Sequence, residues 1–233
     1  MIILIDTSNL LYFCLRRCNE NLLFESILAQ IRQKFDATLL FVLDSYPMHK
    51  KKINANYKAK RKKKDKAFMQ RFNVMKQEVI QTYKTIKIEG YEADDVIASI
   101  IYQNDCEYTI VSLDKDFMQL LNPKVCIYDF KNEILIDETL CQKRHGITPS
   151  QFVEYQMLVG DTIDNVEGVK GIGKNGAKKL LNRFGNIENI YQNLHLIGNV
   201  KHQNALKMHE KNLNSSKKLL TLVNDIDISC PLV

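Results

Sequence analysis

Short apolar runs that each lead to an aspartate constrain this chain more than any other feature. Asp6 follows MIILI, Asp44 follows TLLFVL and Asp114 follows YTIVSL. Such runs are typical of buried strands, and the segments between them space their apolar residues as helices do, which predicts an α/β fold with a mainly parallel sheet. Because ligands of a parallel sheet lie beyond the carboxyl ends of its strands, we expect these aspartates to meet at one edge.

The stretch GYEADDVIASI, residues Gly90–Ile100, adds three acids at the start of a predicted helix. Glu92, Asp94 and Asp95 come before most of the apolar residues of that helix. Acids at this place can form a plain helix cap that interacts favourably with the helix dipole. For this stretch alone, that interpretation stays open.

Three further acids favour cation binding. Asp116 follows Asp114 by two residues, so both carboxylates could reach one ion, although DxD also occurs by chance. Asp161 and Asp164 lie three apart in GDTIDN and share a face if that turn is helical. Together with the acids above they make nine carboxylates, which would repel each other strongly at one edge unless cations lay among them.

The composition permits a core of ordinary size. With 233 residues, of which 45% are hydrophobic, the chain can form one α/β domain or one domain with a small helical annex. No apolar run approaches the roughly 20 residues that cross a bilayer, and MIILIDTSNLL is too short and lacks the basic start of a signal peptide. We therefore expect no membrane partner.

The six cysteines form no CxxC pair and no dense framework, which favours free thiols in a reducing cytoplasm. They are Cys14, Cys18, Cys106, Cys126, Cys141 and Cys230. Cys14 and Cys18 could share a helix face, but two ligands without a nearby His or Cys pair argue against a zinc site.

Basic residues are concentrated in two stretches, Lys50–Lys76 and Lys170–Arg183, although the formal net charge is only +6. The first stretch admits two interpretations. It is either a solvated, partly disordered run or a mobile helical segment that contacts phosphates. Tyr57 within it could stack on an unpaired base, worth about 1–3 kcal/mol, or simply pack on its neighbours.

The other predicted elements alternate along the chain. Strands are predicted at Met1–Ile5, Thr38–Leu43, Thr85–Ile88 and Tyr108–Leu113, with a hairpin or edge pair at Val125–Tyr128 and Glu133–Ile136. Helices are predicted after a cap at Thr7 or Ser8, and at Phe24–Phe35, Phe72–Tyr83 and Glu138–His145, the last closed by Gly146. From Pro149 the chain is predicted to be wholly helical.

A glycine-rich turn is predicted between two of these later helices, in NVEGVKGIGKNGAKKLL. Gly168, Gly171 and Gly173 would let backbone amides approach a phosphate, beside the start of the second helix and near Lys174 and Lys178. Glycine-rich turns between helices are also frequent without a ligand, so both interpretations remain.

Taken in order, the motifs LIDTSN, LDSYP, NYKAKR, GYEADD, SLDKD, GDTIDN and GVKGIGKNGAKKLL resemble those of the 5′-nuclease or flap endonuclease family. This family includes phage 5′-nucleases and the N-terminal nuclease domains of bacterial family A DNA polymerases. The likeness runs from Ile3 to the terminal DISCPLV. No polymerase domain follows, which fits a stand-alone enzyme such as a viral one.

The resemblance implies a PIN-like 5′-nuclease fold, with a central mainly parallel sheet flanked by helices. Residues 1–148 would form the nuclease core, including a basic helical arch at about 48–76. Residues 149–233 would form a helical DNA-binding subdomain, with a helix-three-turn-helix at about 160–185. Two departures are a short segment between Asp6 and Asp44 and an arch rich in lysine over Lys62–Lys64.

The resemblance also implies that the nine carboxylates hold two or three Mg²⁺ ions, which Mn²⁺ can replace. They are Asp6, Asp44, Glu92, Asp94, Asp95, Asp114, Asp116, Asp161 and Asp164. The first ion is expected at Asp44, Glu92 and Asp94, with Asp6 acting mainly through water. The second is expected at Asp114, Asp116 and Asp161, which leaves Asp95 and Asp164 as outer ligands or ligands of a third ion.

Further roles follow from the same resemblance. In the family's YKxxR pattern, Lys58 and Arg61 assist at the scissile phosphate as catalytic residues, and Tyr57 stacks near the terminal base. The glycine turn would hold duplex phosphates, often through a monovalent cation such as K⁺. Its DNA-binding residues would be Gly168, Lys170, Gly171, Gly173, Lys174 and Lys178.

The predicted function is a structure-specific 5′-nuclease of DNA replication or repair, which cuts 5′ flaps, 5′-ended DNA or RNA primers. Expected partners are such DNA, an RNA–DNA hybrid and replication proteins. The protein is expected to be a monomer in the cytoplasm, of the host if it is viral. Two alternatives remain: a catalytically inactive, structure-sensing DNA-binding protein, against which the intact acid set argues, and a toxin-like ribonuclease, against which the glycine turn and arch argue.

Overall fold

In the computed structural model, which describes residues 1–62 and 64–228, the apolar runs form a six-stranded sheet. Its strands are β1 (Ile2–Asp6), β2 (Thr38–Leu43), β3 (Thr85–Lys87), β4 (Tyr108–Val111), β5 (Val125–Asp129) and β6 (Ile134–Ile136). They lie in the order β3-β2-β1-β4-β5-β6, and all pairs are parallel except β5 with β6. The predicted mainly parallel sheet and its edge hairpin are confirmed. Lys63 and Cys230, for which predictions were made, lie outside the described residues.

The register of the central strands brings predicted acids to one edge. Asp6, the last residue of β1, lies opposite Val42 of β2, and Asp44 follows the end of β2. On the other side of β1, β4 ends at Val111, and Asp114 follows it three residues later at the same edge. The carboxyl ends of the three strands therefore meet, as they do in other parallel sheets.

Helices cover both faces of the sheet and form most of the chain after residue 137. They are α1 (Thr7–Leu15), α2 (Glu20–Lys34), α3 (Met48–Ile53), α4 (Lys66–Thr82), α5 (Ala93–Gln103), α6 (Glu138–His145), α7 (Phe152–Val159), α8 (Lys174–Phe184), α9 (Ile187–Gln192), α10 (Val200–His209) and α11 (Leu213–Leu220). Short 3-10 helices occur at Lys115–Leu120, Pro149–Gln151, Leu194–Leu196 and Glu210–Asn212.

Adjacent residues of a strand enter separate cores, one on each face. Ile3 and Ile5 of β1 belong to a core with residues of α1, α2 and α4. Leu4 between them belongs to a core with residues of α5 and of the helices after residue 149. All three side chains are fully buried. Burial on both faces explains why the strands are continuous apolar runs in the sequence.

Among its described residues, the basic stretch is helical in α3 and α4 and not helical at 54–62 and 64–65. Residues 54–61 form successive turns, in which the N–H of Tyr57 donates to Asn54 O (2.9 Å) and the N–H of Arg61 donates to Lys58 O (3.1 Å). Lys58 has a φ of 55°, which is incompatible with a continuing right-handed helix. The predicted arch is therefore two helices joined by a non-helical basic segment.

The region after Pro149 also contains a segment that is not helical. Residues 160–173 join α7 to α8, and Asp161 and Val166 exchange two backbone hydrogen bonds (2.9 and 2.8 Å) within this segment. The prediction of a wholly helical region is wrong here, because these residues form an isolated antiparallel bridge.

Two predictions from composition concern the whole chain. Within residues 1–62 and 64–228, no helix has the length and apolar character that a membrane span requires. The five cysteines that the structure describes, Cys14, Cys18, Cys106, Cys126 and Cys141, are free thiols, as their spacing predicted.

Candidate metal centre and nucleic-acid interface

Asp6 links the end of β1 to the start of α1. It is the N-cap of α1, where its Oδ1 accepts the N–H of Asn9 (3.2 Å), and its Oδ2 accepts the hydroxyl of Ser112 (2.9 Å). The cap predicted at Thr7 or Ser8 is therefore wrong: the helix begins directly after the strand, and the carboxylate that ends the strand takes the capping position.

The start of α5 brings four carboxylates together. Asp44 Oδ1 accepts the N–H of Ala93 (2.9 Å), which ties the end of β2 to this helix. Glu92 occupies the N-cap position, yet its side chain makes no capping hydrogen bond. One oxygen from each of Glu92, Asp94 and Asp95 lies within 4.8 Å of the other two. These acids are thus clustered, and the plain-cap interpretation does not account for Glu92.

The segment after β4 supplies a second acidic pair. Asp114 accepts the N–H of Asp116 (3.0 Å) and so begins the 3-10 helix that follows. Asp116 Oδ1 accepts the side-chain amide of Gln156 on α7 (2.6 Å). Gln156 Oε1 is buried and has no hydrogen-bond partner in the described part of the chain. The C-terminal helices therefore orient a carboxylate of the sheet edge.

The last two acids lie in the turn after α7. Asp161 Oδ1 accepts the N–H groups of Ile163 (2.8 Å) and Asp164 (3.1 Å), and its Oδ2 pairs with the Lys115 ammonium group (2.6 Å). The turn is not helical, but these bonds keep the two acids adjacent. Lys115 joins them to the segment that carries Asp114.

The carboxylates lie close enough for their charges to affect one another's pKa values. Burial, with the charges of Asp44 and Asp114, raises the pKa of Asp6 well above its ordinary value. Burial and the charge of Asp114 raise the pKa of Asp116 to about 7. The pKa values of Asp44 and Asp114 are also raised, chiefly by burial and in part by Asp94. An uncompensated buried carboxylate favours its neutral form.

Lys50 neutralises part of the cluster from α3. Its Nζ lies 3.0 Å from Asp95, 3.4 Å from Asp94 and 3.6 Å from Glu92. Burial alone would raise the pKa of Asp94, but the ammonium groups of Lys50 and Lys58 hold it below its ordinary value. The charges of the three acids in turn raise the pKa of Lys50, against the effect of its burial.

Tyr57 and Lys58 close over the cluster from the basic segment. The buried Tyr57 hydroxyl lies 2.9 Å from Glu92 and 3.3 Å from Asp164. Lys58 Nζ lies 2.6 Å from Glu92 and 3.8 Å from Asp164. Burial and the Glu92 charge raise the pKa of Tyr57, so its hydroxyl remains a donor. In this conformation the Tyr57 ring is fully buried, and it can stack on a base only if the segment moves.

The donor set fits hard divalent cations. Its atoms are carboxylate oxygens, which such ions prefer as ligands. The side chains of Glu92 and Asp94 keep 10% and 15% exposure, whereas that of Asp95 keeps 1%. Binding of cations would also offset the burial and, to a lesser extent, the mutual repulsion that raise the pKa values at the sheet edge. The residues present are therefore suited to divalent ions at this edge.

A groove of about 1180 Å³ lies beside the cluster, between α1 and the basic segment. Its lining includes Asn9 and Ile163, whose N–H groups donate to acids of the cluster. Seven basic side chains also line it: Arg16, Arg17, Lys60, Arg61, Lys62, Lys64 and Lys131. The described lining includes no acid, and it includes the ring of Tyr12, which stacks on Phe72 (4.7 Å between centroids). Cationic walls with aromatic rings suit a single-stranded polyanion.

The glycine turn has both a packing role and an exposed face. A Cβ on Gly168 would lie 2.3 Å from the carbonyl carbon of Val159, so this glycine permits close backbone contact at the end of α7. Gly171 has a φ of +83°, a conformation that favours glycine. Lys170 and Lys174 are exposed beside it. Gly168 is therefore explained by packing, whereas the surface beyond it can reach a ligand.

The positive surface continues from α8 to α6. Lys178 lies against Gly146, where an added Cβ would meet its Cδ at 3.4 Å. Burial, together with the charges of Lys178 and Arg144, lowers the pKa of His145. Two of the predicted DNA-binding lysines, Lys174 and Lys178, thus lie near His145 and Arg144 on a basic face.

Sequence reasoning missed several residues of the cluster. Lys115 had a usable signal, because it lies between two predicted ligands in the sequence DKD. Lys50 had none, since nothing distinguishes it from the adjacent Lys51 and Lys52. Gln156 lies on the helix that precedes GDTIDN, and this position alone could have suggested a supporting role.

The fold and the site define an α/β protein with an acidic sheet edge and a helical C-terminal region that carries a basic face. The chain belongs to the 5′-3′ exonuclease family. The model for the family's N-terminal resolvase-like domain matches residues 1–146, and the model for its C-terminal SAM fold matches residues 147–233. The family resemblance inferred from the motifs is confirmed.

Named relatives agree with this assignment. The chain is 39% identical over 158 residues to a 5′-3′ exonuclease of Buchnera aphidicola, an alignment that covers 64% of this chain and 55% of the relative. It is 41% identical over 140 residues to DNA polymerase I of Helicobacter pylori, covering 59% of this chain and 16% of the polymerase. The aligned part is thus about half of the first relative and a small part of the second.

Solved structures share the fold. The T5 5′-exonuclease with divalent metal ions (zinc) bound superimposes with a TM-score of 0.82 at 24% identity, covering 95% of this chain and 89% of that chain. A T5 D15 flap endonuclease complex with DNA and metal ions gives a TM-score of 0.80 at 24% identity, with the same coverage. The predicted fold class is confirmed.

Proposed function

We propose that the chain is a structure-specific 5′-nuclease that hydrolyses phosphodiester bonds of branched or 5′-ended DNA, or of RNA primers. The observation that carries this proposal is a buried carboxylate cluster beside a groove with seven basic side chains. The groove attracts a polyanion, whereas the carboxylates repel it unless cations are bound to them. A protein that only binds nucleic acid has no use for such acids, so the combination favours a hydrolase.

The carboxylates that would hold ions fall into two groups. The first ion would be held by Asp44, Glu92 and Asp94, and the second by Asp114, Asp116 and Asp161. Bound Mg²⁺, or Mn²⁺ in its place, generates a water-derived nucleophile and stabilises charge on phosphate oxygens. Backbone donors and Gln156 orient several of these carboxylates in advance.

The remaining acids are proposed to act from outside the ion sites. Both oxygens of Asp6 already accept hydrogen bonds from the protein. Asp95 accepts the N–H of Val223 (3.0 Å) on one oxygen and pairs with Lys50 through the other. Asp164 faces Tyr57 and Lys58. These bonds support an orienting role, although Asp164 would also suit a third ion.

Lys58 and Arg61 are proposed to contact the scissile phosphate. Lys58 lies at the edge of the cluster, 2.6 Å from Glu92, and Arg61 lines the groove beside it. Positive charge at this place stabilises negative charge that develops on the phosphate oxygens. While the basic segment covers the cluster, Tyr57 would hold Glu92 and Asp164 by hydrogen bonds. When this segment moves away, Tyr57 is proposed to stack on a terminal base.

The glycine turn and α8 are proposed to hold the duplex part of the substrate. The exposed Lys170 and Lys174, the partly buried Lys178 and the backbone of Gly171 and Gly173 would contact phosphates near the start of α8. We also propose a K⁺ ion at this turn, a monomeric state, replication proteins as partners and a cytoplasmic location.

The test is cleavage of three end-labelled substrates, a 5′ flap, a blunt duplex and a single-stranded RNA, in Mg²⁺, Mn²⁺ and EDTA. We expect cleavage near the flap junction or the 5′ end of the duplex with either ion and none in EDTA. Failure to cut any substrate with either ion would favour the inactive DNA-binding protein. Cleavage of the single-stranded RNA alone would favour the ribonuclease.

A further inference from the structure

Lys50 of α3 is a basic residue that phosphate contact does not explain. Its side chain is only 2% exposed, so a nucleic acid cannot reach its ammonium group in this conformation. That group instead lies within 3.6 Å of all three acids at the start of α5, Glu92, Asp94 and Asp95. Lys50 therefore serves the acid cluster itself.

The three acids differ in what else engages them. Asp95 is satisfied by the protein: its Oδ1 accepts the N–H of Val223 (3.0 Å) and its Oδ2 lies 3.0 Å from Lys50. Asp94 and Glu92 are more exposed than Asp95, and each lies farther from Lys50. Lys50 and the backbone of Val223 together hold the Asp95 carboxylate in the interior.

Lys50 is also fixed in a way that the lysines of the basic segment are not. It lies within a helix whose neighbouring N–H, that of His49, donates to Gly90 O (3.3 Å) in the loop before α5. The His49 ring stacks on that of Tyr91 (5.7 Å between centroids). Lys58, by contrast, lies in the non-helical segment with a positive φ. The position of Lys50 is thus part of the folded core.

We propose that Lys50 is a positioning residue, a built-in cation that occupies the place among Glu92, Asp94 and Asp95 where a divalent ion would otherwise bind. Lys50 offsets one of the three negative charges, and Lys58, which lies 2.6 Å from Glu92, offsets a second while the basic segment covers the cluster. When that segment moves away, two negative charges remain, which suit a single divalent ion. Lys50 would then limit the number of ions and keep Asp95 from being a metal ligand. The inference rests on the proposed function only in treating Glu92 and Asp94 as metal ligands.

The test compares Lys50→Met with Lys52→Met, which removes an exposed lysine from the same helix. Mn²⁺ binding is counted by electron paramagnetic resonance without nucleic acid, and the Tm is measured in EDTA and in Mg²⁺. We expect Lys50→Met to bind one more Mn²⁺ per chain than the wild type. We also expect its Tm in EDTA to fall by about 5–15 °C and to recover largely in Mg²⁺, because the buried Asp95 loses its ion-pair partner and Asp94 loses one of its two nearby lysines. Lys52→Met should match the wild type.

An unchanged Mn²⁺ count in Lys50→Met would overturn the proposal even if the Tm fell, because a purely structural ion pair lowers only the Tm. Should Lys50→Met not fold in EDTA, its Tm is compared with that of the wild type in Mg²⁺, and the Mn²⁺ count, which is made without EDTA, remains the deciding measurement. Because no nucleic acid is present, these results are independent of the cleavage assay, so each proposal can fail alone.

Discussion

The acidic cluster has two halves that differ in what neutralises them. In the lysine-paired half, each carboxylate lies within 3.8 Å of a lysine Nζ, and its members are Glu92, Asp94, Asp95, Asp161 and Asp164. In the lysine-free half, none of the carboxylates makes an ion pair with another described residue, and its members are Asp6, Asp44, Asp114 and Asp116. Among the described residues, lysines therefore make direct ion pairs with one half, whereas they act on the other half only from a greater distance.

Protonation reflects this difference. All four members of the lysine-free half have raised pKa values, with burial as the main cause. In the lysine-paired half, the pKa values of Asp94 and Asp161 are lowered, because nearby lysines outweigh the effect of burial. Asp95 and Asp164 are exceptions, since their burial outweighs the lysines. Lysines therefore offset part of the burial in one half, and we propose that cations from solution take this part in the lysine-free half.

Asp114→Asn removes one carboxylate from the lysine-free half. Loss of this carboxylate should weaken binding of the second ion and lower the cleavage rate by about 10³-fold, since a bound metal contributes several kcal/mol at the transition state. The measurement is single-turnover cleavage of a 5′ flap in Mg²⁺. Asp105→Asn, which removes an exposed carboxylate paired with Lys124, should leave the rate unchanged. Equal rates for the two variants would show that this half does not bind a required ion.

The sheet and its acids could be predicted because short, continuous stretches of sequence determine them. A strand buried on both faces must be apolar along its length, and an aspartate at its end stands out, as Asp6 and Asp44 do. Parallel pairing then brings such residues to one edge whatever the rest of the chain does. The family resemblance added their roles, which remain predictions, as does the domain boundary after residue 148.

The lysines and the glutamine of the cluster could not be predicted, because their positions depend on contacts between segments that are distant in the sequence. Whether Lys50 or Lys52 enters the interior depends on the orientation of a six-residue helix relative to α5. The turn at Lys58 depends on a positive φ that a lysine rarely adopts. Gln156 meets Asp116 across 40 residues of sequence. Each of these features depends on how the chain packs in three dimensions, which the local sequence does not determine.

Lys58 provides the corresponding test for the lysine-paired half. Lys58→Ala should reduce the cleavage rate by about 10²-fold, because it removes positive charge that the phosphate would meet. Duplex binding in EDTA, measured by fluorescence anisotropy, should change little, since the duplex is proposed to lie on α8. Lys52→Ala serves as the control. An unaltered rate would remove Lys58 from the catalytic residues and leave it as a partner of Glu92 only.

Gln156→Leu tests the support of the lysine-free half by the C-terminal helices. Loss of the amide that donates to Asp116 should weaken the apparent affinity for Mg²⁺ by about 10-fold, as changes to groups that orient metal ligands do. Cleavage at saturating Mg²⁺ should be affected less than cleavage at low Mg²⁺. Gln142→Leu, an exposed position on α6, is the matched control. A loss of rate that does not depend on Mg²⁺ would indicate a packing defect instead.

The smallest expected effect concerns pH and stability without divalent ions. The pKa values of Asp6 and Asp116 are higher in the folded chain than their ordinary values, so the folded state binds these protons more tightly than the unfolded state. The resulting stabilisation is fully present below about pH 4, the ordinary range of an aspartate. It is lost as the pH rises through about 7, the pKa of Asp116. In EDTA the Tm should therefore fall by about 5 °C between pH 5 and pH 8.

Magnesium should remove most of this fall, because bound cations stabilise the ionised carboxylates that buried protons otherwise neutralise. Asp116→Asn should also reduce it, since the amide has no proton to lose. The lysine-paired Asp161 titrates in the opposite sense: its lowered pKa gives stability that is present above its ordinary value and lost only in acid. Asp161→Asn should therefore leave the slope between pH 5 and pH 8 unchanged. A slope that depended equally on Asp116 and Asp161 would mean that the two halves do not differ in the way their lysines suggest.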